Sequence, residues 1–491
     1  MSAIDRRQFL QSGLAAAATL GVAGMPRAVH AAAPALGRGS ADSVIYIWLP
    51  GGIAQTDTWD PKRHTPFQPG MKGSEMLGTC RSIPTAADGI QLGEGLESIA
   101  SVMDKGAILR SLTSDTKFGA IHLKAQYYAM TGYLFPAGVK VPSLGAVVGR
   151  TLGRRHKDIP PYIYIGRDID TSDEEMLFIS EYLGPGFYGV GAAPFMIPDA
   201  TRGVATLDAV GGMRPDRLDR RQAYLRAVSG MTEAQLRDAH QVKDYLQVME
   251  DARAMMDSPV KRAFDFKDEK AAVIAAYQPK VARNQVQDQS YYFGNRFGNG
   301  LLLSRRLVEA GARFVQVEYQ YGPFKGFDMH ESGWSRMTEM KRQIDQPIAQ
   351  LVRDLDQRGL LDRTLIVVAT EFGRTIASQP AAGTEPDGFA ERHTGEQLVL
   401  DNDKMYGFHG HFSSTNCMLF FGGGIKRGVV HGRTADRHPM VPVEKPERLI
   451  DVFATIYKAL GIPPDWSYET EGRPFYVTKD GKGRPIDALL A

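Results

Sequence analysis

The sequence predicts an α/β protein built on one doubly wound, mostly parallel β-sheet. Six runs rich in β-branched and aromatic residues each end in Gly, Pro or a polar cluster, as strands buried on both faces do. Segments with apolar residues at i, i+3 and i+4 lie between them, which is the pattern of helices that cover a sheet. Strand and helix in alternation are typical of α/β folds. With 43% hydrophobic residues among 491, the chain can bury a large core.

The predicted elements follow one another in a regular order. The strands are VIYIWLPGG (44–52), AILRSLTSD (107–115), YIYIG (162–166), RFVQVEYQYG (313–322), TLIVVATEFG (364–373) and CMLFFGGG (417–424). The clearest helices are PSLGAVVGRTLG (142–153), GNGLLLSRRLVEAGA (298–312) and IDQPIAQLVRDLDQRGL (344–360), the last of which ends at Gly359. A long amphipathic segment (231–256) belongs to a helical insertion predicted over about 215–300. Polar residues and turn formers predict a long surface loop over 376–410.

Residues 1–31 have the features of an export signal. Arg6 and Arg7 are followed by a weakly apolar run and by a small-x-small ending near Ala31. That is the pattern of a cleaved twin-arginine signal peptide, which sends the mature protein to the periplasm or out of the cell. The apolar run is too short and too rich in glycine to favour the alternative, an uncleaved membrane anchor. No other segment approaches a transmembrane span.

The charge of the chain narrows the class of partner, and its cysteine content bears on disulfide bonds. Without residues 1–31 the chain keeps 55 of its 58 basic and 55 of its 56 acidic side chains, so it is neutral. No basic stripe remains, and nucleic acid is therefore not a predicted partner. Cys80 and Cys417 lie far apart in sequence and are too few for a disulfide framework. We expect both to be free thiols.

Candidate functional residues cluster at the predicted strand ends, where open α/β sheets bind their ligands. They are Gln55, Thr56, Asp57 and Asp60 after the first strand, His122 after the second, Asp328 and His330 after the fourth, Glu371 after the fifth, and His409 and His411 before the sixth. Carboxylates and imidazoles without a thiolate fit a divalent ion such as Zn, Mn, Mg or Ca. The sequence therefore predicts a metal site at this edge of the sheet.

Several of these signals have a second interpretation. Asp328 and His330 also fit a solvated polar loop. The carboxylate of Glu371 follows an apolar run and must be solvated, paired or liganded. Arg374 fits either the binding of an anionic oxygen or a surface ion pair. The glycine run FFGGGIKRG (420–428) fits a tight hairpin better than a phosphate-binding loop, because no helix and no Lys-Ser/Thr ending follow it.

The motifs taken together resemble one known family. They are LPGGIAQTDTWDPK, LRSLTSD followed by YYAMTG, SPVKRAFDF, RGLLDRTLIVVATEFGRT and FFGGGIKRGVVHGRT. In this order, behind a twin-arginine signal, they resemble the exported domain-of-unknown-function family 1501 over roughly residues 41–485. That family is grouped with the alkaline phosphatase and sulfatase superfamily. The resemblance implies one domain, a three-layer α/β/α sandwich with a mostly parallel central sheet, into which the helical insertion is placed.

The resemblance also implies a metal-ligand order, since enzymes of that superfamily hold two metals with ligands in a fixed sequence. Asp328 and His330 match the central aspartate–histidine pair, and His411 matches the last histidine. At the position of the first-strand aspartate this chain has Gly51–Gly52, with Asp57 a few residues later. These matches imply a site of the same general type with altered members.

Two further positions depart from the superfamily pattern. His122 stands at the nucleophile position, where a sulfatase has Cys or Ser and a phosphatase has Ser or Thr. Glu371 and Phe372 replace an Asp-His element, which removes one ligand. The departures favour a single metal, with His122 as nucleophile, general base, additional ligand or the remnant of a lost activity.

Two functional hypotheses follow. The first is an exported, metal-dependent hydrolase of phosphate or sulfate esters, acting on small molecules or polysaccharides. Its metal ligands are Asp57, Asp328, His330, Glu371 and His411, and its catalytic residues are His122, Glu371 and Arg374. The alternative is a non-catalytic binding or assembly protein of the cell envelope that reuses the fold. The alternative predicts that the strand-end residues are hydrogen-bonded to one another, or too widely scattered to share an ion.

Overall fold

The apolar runs of the sequence form the strands of one nine-stranded sheet. In chain order these are β1 (Ser43–Trp48), β2 (Gly106–Thr113), β3 (Tyr162–Ile165), β4 (Phe195–Ile197), β5 (Phe314–Glu318), β6 (Thr364–Ala369), β7 (Asn416–Phe421), β8 (Val429–His431) and β9 (Glu447–Arg448). All six predicted strands are present. The sequence does not predict β4, β8 and β9, because strands of two or three residues show no detectable period.

The computed structural model describes residues 35–113, 121–135, 138–166, 181–202, 240–378, 399–470 and 472–491, with short pieces between 216 and 228. The predicted signal peptide lies outside the described residues. Residues Leu36–Ala491 group into one compact unit. None of the described helices is long and apolar enough to cross a membrane.

The strand order places β1 near the middle of the sheet. The order is β8-β2-β7-β6-β1-β5-β3-β4, with β9 beside β2. Only β7 among these strands runs antiparallel to its neighbours, which are β2 and β6. The sheet is therefore mostly parallel, as predicted. As a result, the carboxyl ends of β1, β2, β5 and β6 share one edge with the amino end of β7.

Eight α-helices accompany the described part of the sheet. They are α1 (Glu97–Ala100), α2 (His122–Thr131), α3 (Leu144–Leu152), α4 (His240–Asp257), α5 (Ala271–Ala276), α6 (Gly294–Ala310), α7 (Gly333–Gln357) and α8 (Leu449–Ala459). The three clearest predicted helices correspond to α3, α6 and α7, although α7 begins earlier than predicted. Helices α4 and α5 lie within the segment predicted as a helical insertion.

The side chains of β1 show how the helices form two layers. Successive residues of a strand point to opposite faces of the sheet. Ile45 and Ile47 pack in one core with apolar residues of α6 and α7. Tyr46 and Trp48 pack in a second core with residues of α2, α3 and α8. The protein is thus a three-layer α/β/α sandwich, and burial of both faces explains the continuous apolar runs.

Short strand pairs lie outside the main sheet. They join Met71–Lys72 to Val399–Leu400, Ser82–Pro84 to Gln91–Gly93, Gly373–Arg374 to His411–Phe412, Ala377–Ser378 to Phe408–His409, Arg433–Thr434 to Pro442–Glu444, and Ser467–Thr470 to Arg473–Tyr476. The prediction of a continuous loop over 376–410 is therefore wrong at both of its ends. Its middle, residues 379–398, lies outside the described residues.

The glycine run after β7 is not a tight hairpin, which corrects the prediction. The next strand, β8, pairs with β2 rather than with β7, because β2 lies between them. Since β7 is antiparallel, the run Gly422–Gly424 sits at the edge of the sheet opposite the predicted metal site. Cys80 and Cys417 are both free, as predicted.

Candidate metal centre

The strand directions bring the predicted site residues to one edge of the sheet. His122 begins α2, which follows β2, and Asp328 lies on the loop after β5. Glu371 follows β6, and His411 precedes β7. Because β7 is antiparallel, its amino end lies beside the carboxyl ends of the other strands. Four residues that are distant in sequence therefore approach one another.

Three ligand atoms at this edge face one another. His122 Nε2 lies 3.1 Å from Asp328 Oδ1 and 3.1 Å from His411 Nε2, and His411 Nε2 lies 3.5 Å from Asp328 Oδ1. Among the described residues, these three form a group whose ligand atoms all lie within 4.8 Å of one another. Ligands of one tetrahedral ion, each at about 2.0–2.2 Å, are roughly 3.3–3.6 Å apart. We call these three atoms the ligand triangle; its 3.5 Å side lies within that range, and its two 3.1 Å sides are slightly shorter and are also hydrogen-bond distances.

Glu371 orients His122 from the other side of the imidazole. His122 Nδ1 lies 2.8 Å from Glu371 Oε1, and the same oxygen accepts the Gly51 N–H at 2.8 Å. The Thr370 hydroxyl donates to the second carboxylate oxygen at 3.0 Å. A proton on Nδ1 leaves Nε2 directed at the ligand triangle. This carboxylate–histidine arrangement is the one that holds metal-binding imidazoles in proteins.

Asp328 is held from three directions. His330 Nε2 lies 2.9 Å from Oδ1, and Arg374 Nη2 donates to the same oxygen at 2.6 Å. The Phe324 N–H donates to Oδ2 at 2.8 Å. His330 therefore contacts the carboxylate but lies beside the ligand triangle rather than in it. Each of these contacts restricts the orientation of the carboxylate.

Arg374 is fully buried, so it does not form the surface ion pair that was one interpretation of the sequence. Its Nε donates to the carbonyl oxygens of Gly51 and Gly52 at 3.1 and 3.2 Å. Its Nη1 donates to those of Met329 and His409 at 3.0 and 2.6 Å. The guanidinium thus joins the segments after β1, after β5 and before β7.

Asp57 lies in a second buried cluster, away from the ligand triangle. Its Oδ2 is 3.3 Å from His409 Nε2, and its Oδ1 accepts the Thr79 N–H at 3.0 Å. Lys341 of α7 donates to the Asp57 carbonyl at 3.1 Å. The structure does not bring Asp57 to the group that its predicted role as a ligand required. Sequence reasoning missed Lys341, although a lysine in the apolar stripe of α7 was a signal for a buried partner.

The glycine pair after β1 leaves no room for a side chain. Gly51 and Gly52 have φ values of +115° and +77°. A Cβ on Gly51 would lie 2.5 Å from the backbone nitrogen of Asp328, and one on Gly52 would lie 2.6 Å from the Phe372 ring. The Phe372 ring in turn packs against His122, with 5.0 Å between the ring centroids. The volume that a first-strand carboxylate would need is therefore filled.

The surroundings favour the ionised form of Asp328 and the neutral form of His411. Burial opposes the ionisation of Asp328, but hydrogen bonds from the three imidazoles around it outweigh this and hold its pKa well below the usual range. Burial, together with the positive charge of Arg374, lowers the pKa of His411 to about 3. At neutral pH Asp328 is therefore ionised and His411 is neutral, which is the form that binds a cation.

His122 differs because it lies between two carboxylates. Burial lowers its pKa, but hydrogen bonds to Asp328 and Glu371 outweigh burial, and the pKa is raised above its ordinary value. Burial raises the pKa of Glu371, but the hydrogen bond and charge of His122 leave it lowered overall. Without an ion, a proton on His122 compensates the two negative charges.

The fold and the strand-end cluster define an α/β/α sandwich with histidine and carboxylate side chains gathered at one edge of its sheet. The chain belongs to the family described as “Protein of unknown function (DUF1501)”, whose profile matches residues 41–490. A comparison with the curated proteins finds no match.

Several solved structures are similar at low identity. A protein in the alkaline phosphatase superfamily from Vibrio parahaemolyticus is 10% identical with a TM-score of 0.40, over 100% of this chain and 80% of that one. A phosphonate monoester hydrolase from Silicibacter pomeroyi is 12% identical with a TM-score of 0.36, over 91% and 76%. A sulfatase from Pseudoalteromonas sp. is 13% identical with a TM-score of 0.37, over 90% and 73%.

Proposed function

We propose that this protein is an exported hydrolase of phosphate or sulfate esters that uses one divalent metal ion held by His122, Asp328 and His411. The observation that supports this most strongly is the ligand triangle, with sides of 3.1, 3.1 and 3.5 Å. Two imidazoles and one carboxylate favour zinc over magnesium or calcium, which prefer oxygen ligands. A bound ion supplies Lewis acidity toward the ester oxygens.

The surrounding residues hold the ligands in place. Glu371 fixes the tautomer and direction of His122 through Nδ1, so we assign it as a positioning residue. His122 stands at the nucleophile position of the superfamily, but its Nε2 faces the triangle, and we assign it as a ligand. Arg374 and His330 fix the carboxylate of Asp328. Since the Arg374 guanidinium is fully buried among carbonyl oxygens, it positions the ligand and does not contact substrate.

The exposed side of the cluster is the imidazole side. The side chains of His122, His411 and His330 are 13%, 21% and 25% exposed, whereas those of Asp328 and Glu371 are 3% and 0% exposed. An approaching ester therefore meets the imidazoles and the ion they hold rather than the carboxylates. Such an opening suits an anionic group such as phosphate or sulfate.

Metal analysis combined with an ester panel tests the proposal. The full chain, His411→Ala and the matched control His64→Ala are purified with zinc present, and bound metal and hydrolysis of phosphate and sulfate esters are measured. We expect the wild type and His64→Ala to retain about one ion per chain. His411→Ala should lose the ion, and its rate of ester hydrolysis should fall more than about 100-fold. Changing even a residue that only supports a ligand lowers metal affinity or activity by about 10–100-fold. Absence of metal in the wild type, with hydrolysis unchanged in His411→Ala, overturns the proposal.

The hydrogen bonds of the cluster also support the alternative function. His122 bridges Glu371 and Asp328, as expected if these residues serve only to hold the loops of a non-catalytic envelope protein together. That alternative predicts no stoichiometric metal and no change in the unfolding temperature on chelation. Metal content therefore separates the two functions.

Export is a separate part of the proposal and rests on the twin-arginine pattern at Arg6 and Arg7. Replacement of both by lysine should leave uncleaved precursor in the cytoplasm, because lysine lacks the planar guanidinium fork. Arg27→Lys, within the same segment but outside the motif, is the control. Unchanged export of the double variant contradicts the predicted route.

A further inference from the structure

Phe324 has a backbone conformation that is unusual for its side chain. Its φ is +59°, in the left-handed region that glycine and asparagine enter more readily than a bulky residue. Two contacts hold it there: its N–H donates to Asp328 Oδ2 at 2.8 Å, and its carbonyl accepts from Arg336 Nη2 at 2.9 Å. On the side of Phe324, both contacts use backbone atoms only. A glycine could make them without the steric cost of a Cβ.

Burial does not explain the phenyl ring either. The residue is 70% exposed, so it contributes little to the core. A single exposed phenylalanine needs no explanation, but one that also adds backbone strain does, and strained residues concentrate at functional sites. Neither the conformation nor the packing of the loop accounts for an aromatic residue at this position.

The ring stands at the edge of the ligand triangle. Its centroid lies 5.1 Å from that of the His330 imidazole, and His330 lies 5.0 Å from His411. The backbone of Phe324 is also bonded directly to Asp328. The exposed ring is thus separated from the triangle by a single imidazole, that of His330, whose side chain is itself partly exposed.

We infer that Phe324 contacts substrate, stacking against a ring attached to the ester oxygen, and that it selects ring-bearing esters over small alkyl esters. This inference rests on the proposed function, since it assigns the anionic end of the substrate to the ligand triangle. An aryl ring, or the apolar face of a sugar ring, can lie against phenylalanine in an offset arrangement that adds to simple burial.

Binding of two non-hydrolysable anions tests the inference directly. Benzylphosphonate and ethylphosphonate have the same head group with a methylene in place of the ester oxygen and differ in the ring, and their affinities for the zinc-loaded full chain can be measured by calorimetry. We expect the wild type to bind benzylphosphonate about five-fold more tightly. A sugar 1-phosphonate in the same series separates a preference for sugars from one for aryl rings.

Variants of Phe324 test whether its ring causes the binding preference without a change in the stability of the fold. Phe324→Gly should abolish the preference while leaving the unfolding temperature unchanged or higher, because it relieves the left-handed strain. Phe324→Tyr keeps the ring and should keep the preference. Met196→Ala removes an exposed apolar side chain from β4 and is the control, with the preference unchanged. Equal affinities in the wild type, no binding of either anion, or a preference that survives in Phe324→Gly overturns the inference.

The outcomes also distinguish this inference from the proposed function. If no ester is hydrolysed but the ring preference exists and depends on Phe324, the hydrolase proposal fails and the ring-binding role stands. If esters are hydrolysed in a metal-dependent way but Phe324→Gly changes nothing, only the ring-binding role fails.

Discussion

His122 at the start of α2 and Glu371 after β6 are joined by a hydrogen bond of 2.8 Å between Nδ1 and Oε1, although they are 249 positions apart in sequence. Their strands, β2 and β6, lie on either side of the antiparallel β7. The buried carboxylate also accepts the Gly51 N–H, so its orientation is fixed. In our proposal this bond is what aims His122 Nε2 at Asp328 and His411.

Glu371→Gln should weaken zinc binding by about 10–100-fold, as expected when the residue that orients a metal-binding histidine is changed. An amide has nearly the same shape, but it carries no charge to hold the proton on His122 Nδ1. Zinc affinity is measured by competition with a chelator. Asp345→Asn is the control, since Asp345 is another buried carboxylate, which accepts the N–H groups of Ser98 and Ile99. Equal zinc affinity in wild type and Glu371→Gln contradicts the positioning role.

Arg374→Lys should destabilise the metal-free protein by at least about 1–3 kcal/mol, the cost of leaving a buried hydrogen-bond acceptor without its donor. A lysine ammonium cannot span the four carbonyl oxygens and the Asp328 carboxylate that the guanidinium reaches. Urea denaturation measures the free energy of unfolding. Arg433→Lys is the matched exposed variant and should leave the midpoint where it is. A midpoint for Arg374→Lys equal to that of the wild type is inconsistent with this account.

Gly52→Ala should be more destabilising than Gly89→Ala, although the two glycines have similar φ values of +77° and +74°. A Cβ at Gly89 meets nothing within 4 Å, so that variant bears only the left-handed backbone cost of about 1–2 kcal/mol. At Gly52 the Cβ would lie 2.6 Å from Phe372 and 2.8 Å from Arg374 Nε, which adds about 1–3 kcal/mol of overpacking. Chemical denaturation compares the two variants. Equal losses contradict the tight packing after β1.

Asp42→Asn should reduce stability at pH 7, and this loss should shrink as the pH falls toward 3. Hydrogen bonds from Arg363 at 2.6 and 3.0 Å lower the pKa of Asp42. A carboxylate whose folded pKa is lowered stabilises the fold above its unfolded pKa of about 3.9, and this contribution is lost as the pH falls through the folded pKa. The pair is partly exposed, so the difference at pH 7 is about 1 kcal/mol or less.

Denaturation at pH 7, 5 and 3 measures that difference, and 1 M salt should reduce it at pH 7. Zinc binding serves as the control readout. Asp42 precedes β1 at the edge opposite the ligand triangle, so zinc affinity should not change. A stability difference that is the same at every pH rules out the titration of Asp42 as its cause.

The central strands could be predicted because burial on both faces leaves a local pattern. Each continuous apolar run became a strand of the sheet, and the amphipathic segments became α3, α6 and α7. Which strands are neighbours left no such pattern. The prediction of a hairpin after β7 was wrong because the partner of β8 is β2, whose residues are far away in sequence.

The sequence by itself determined which residue types stand at the strand ends, because polar residues beside apolar runs mark those ends. His122, Asp328, Glu371 and His411 were all identified in this way. Only the tertiary structure decided that three of them converge and that Asp57 lies beside His409 instead. It also decided that Arg374 is buried and that the Phe324 ring lies exposed beside His330. The physical reason is that local patterns report burial, whereas distances between remote atoms are set by strand order, strand direction and the backbone conformation of the connecting loops.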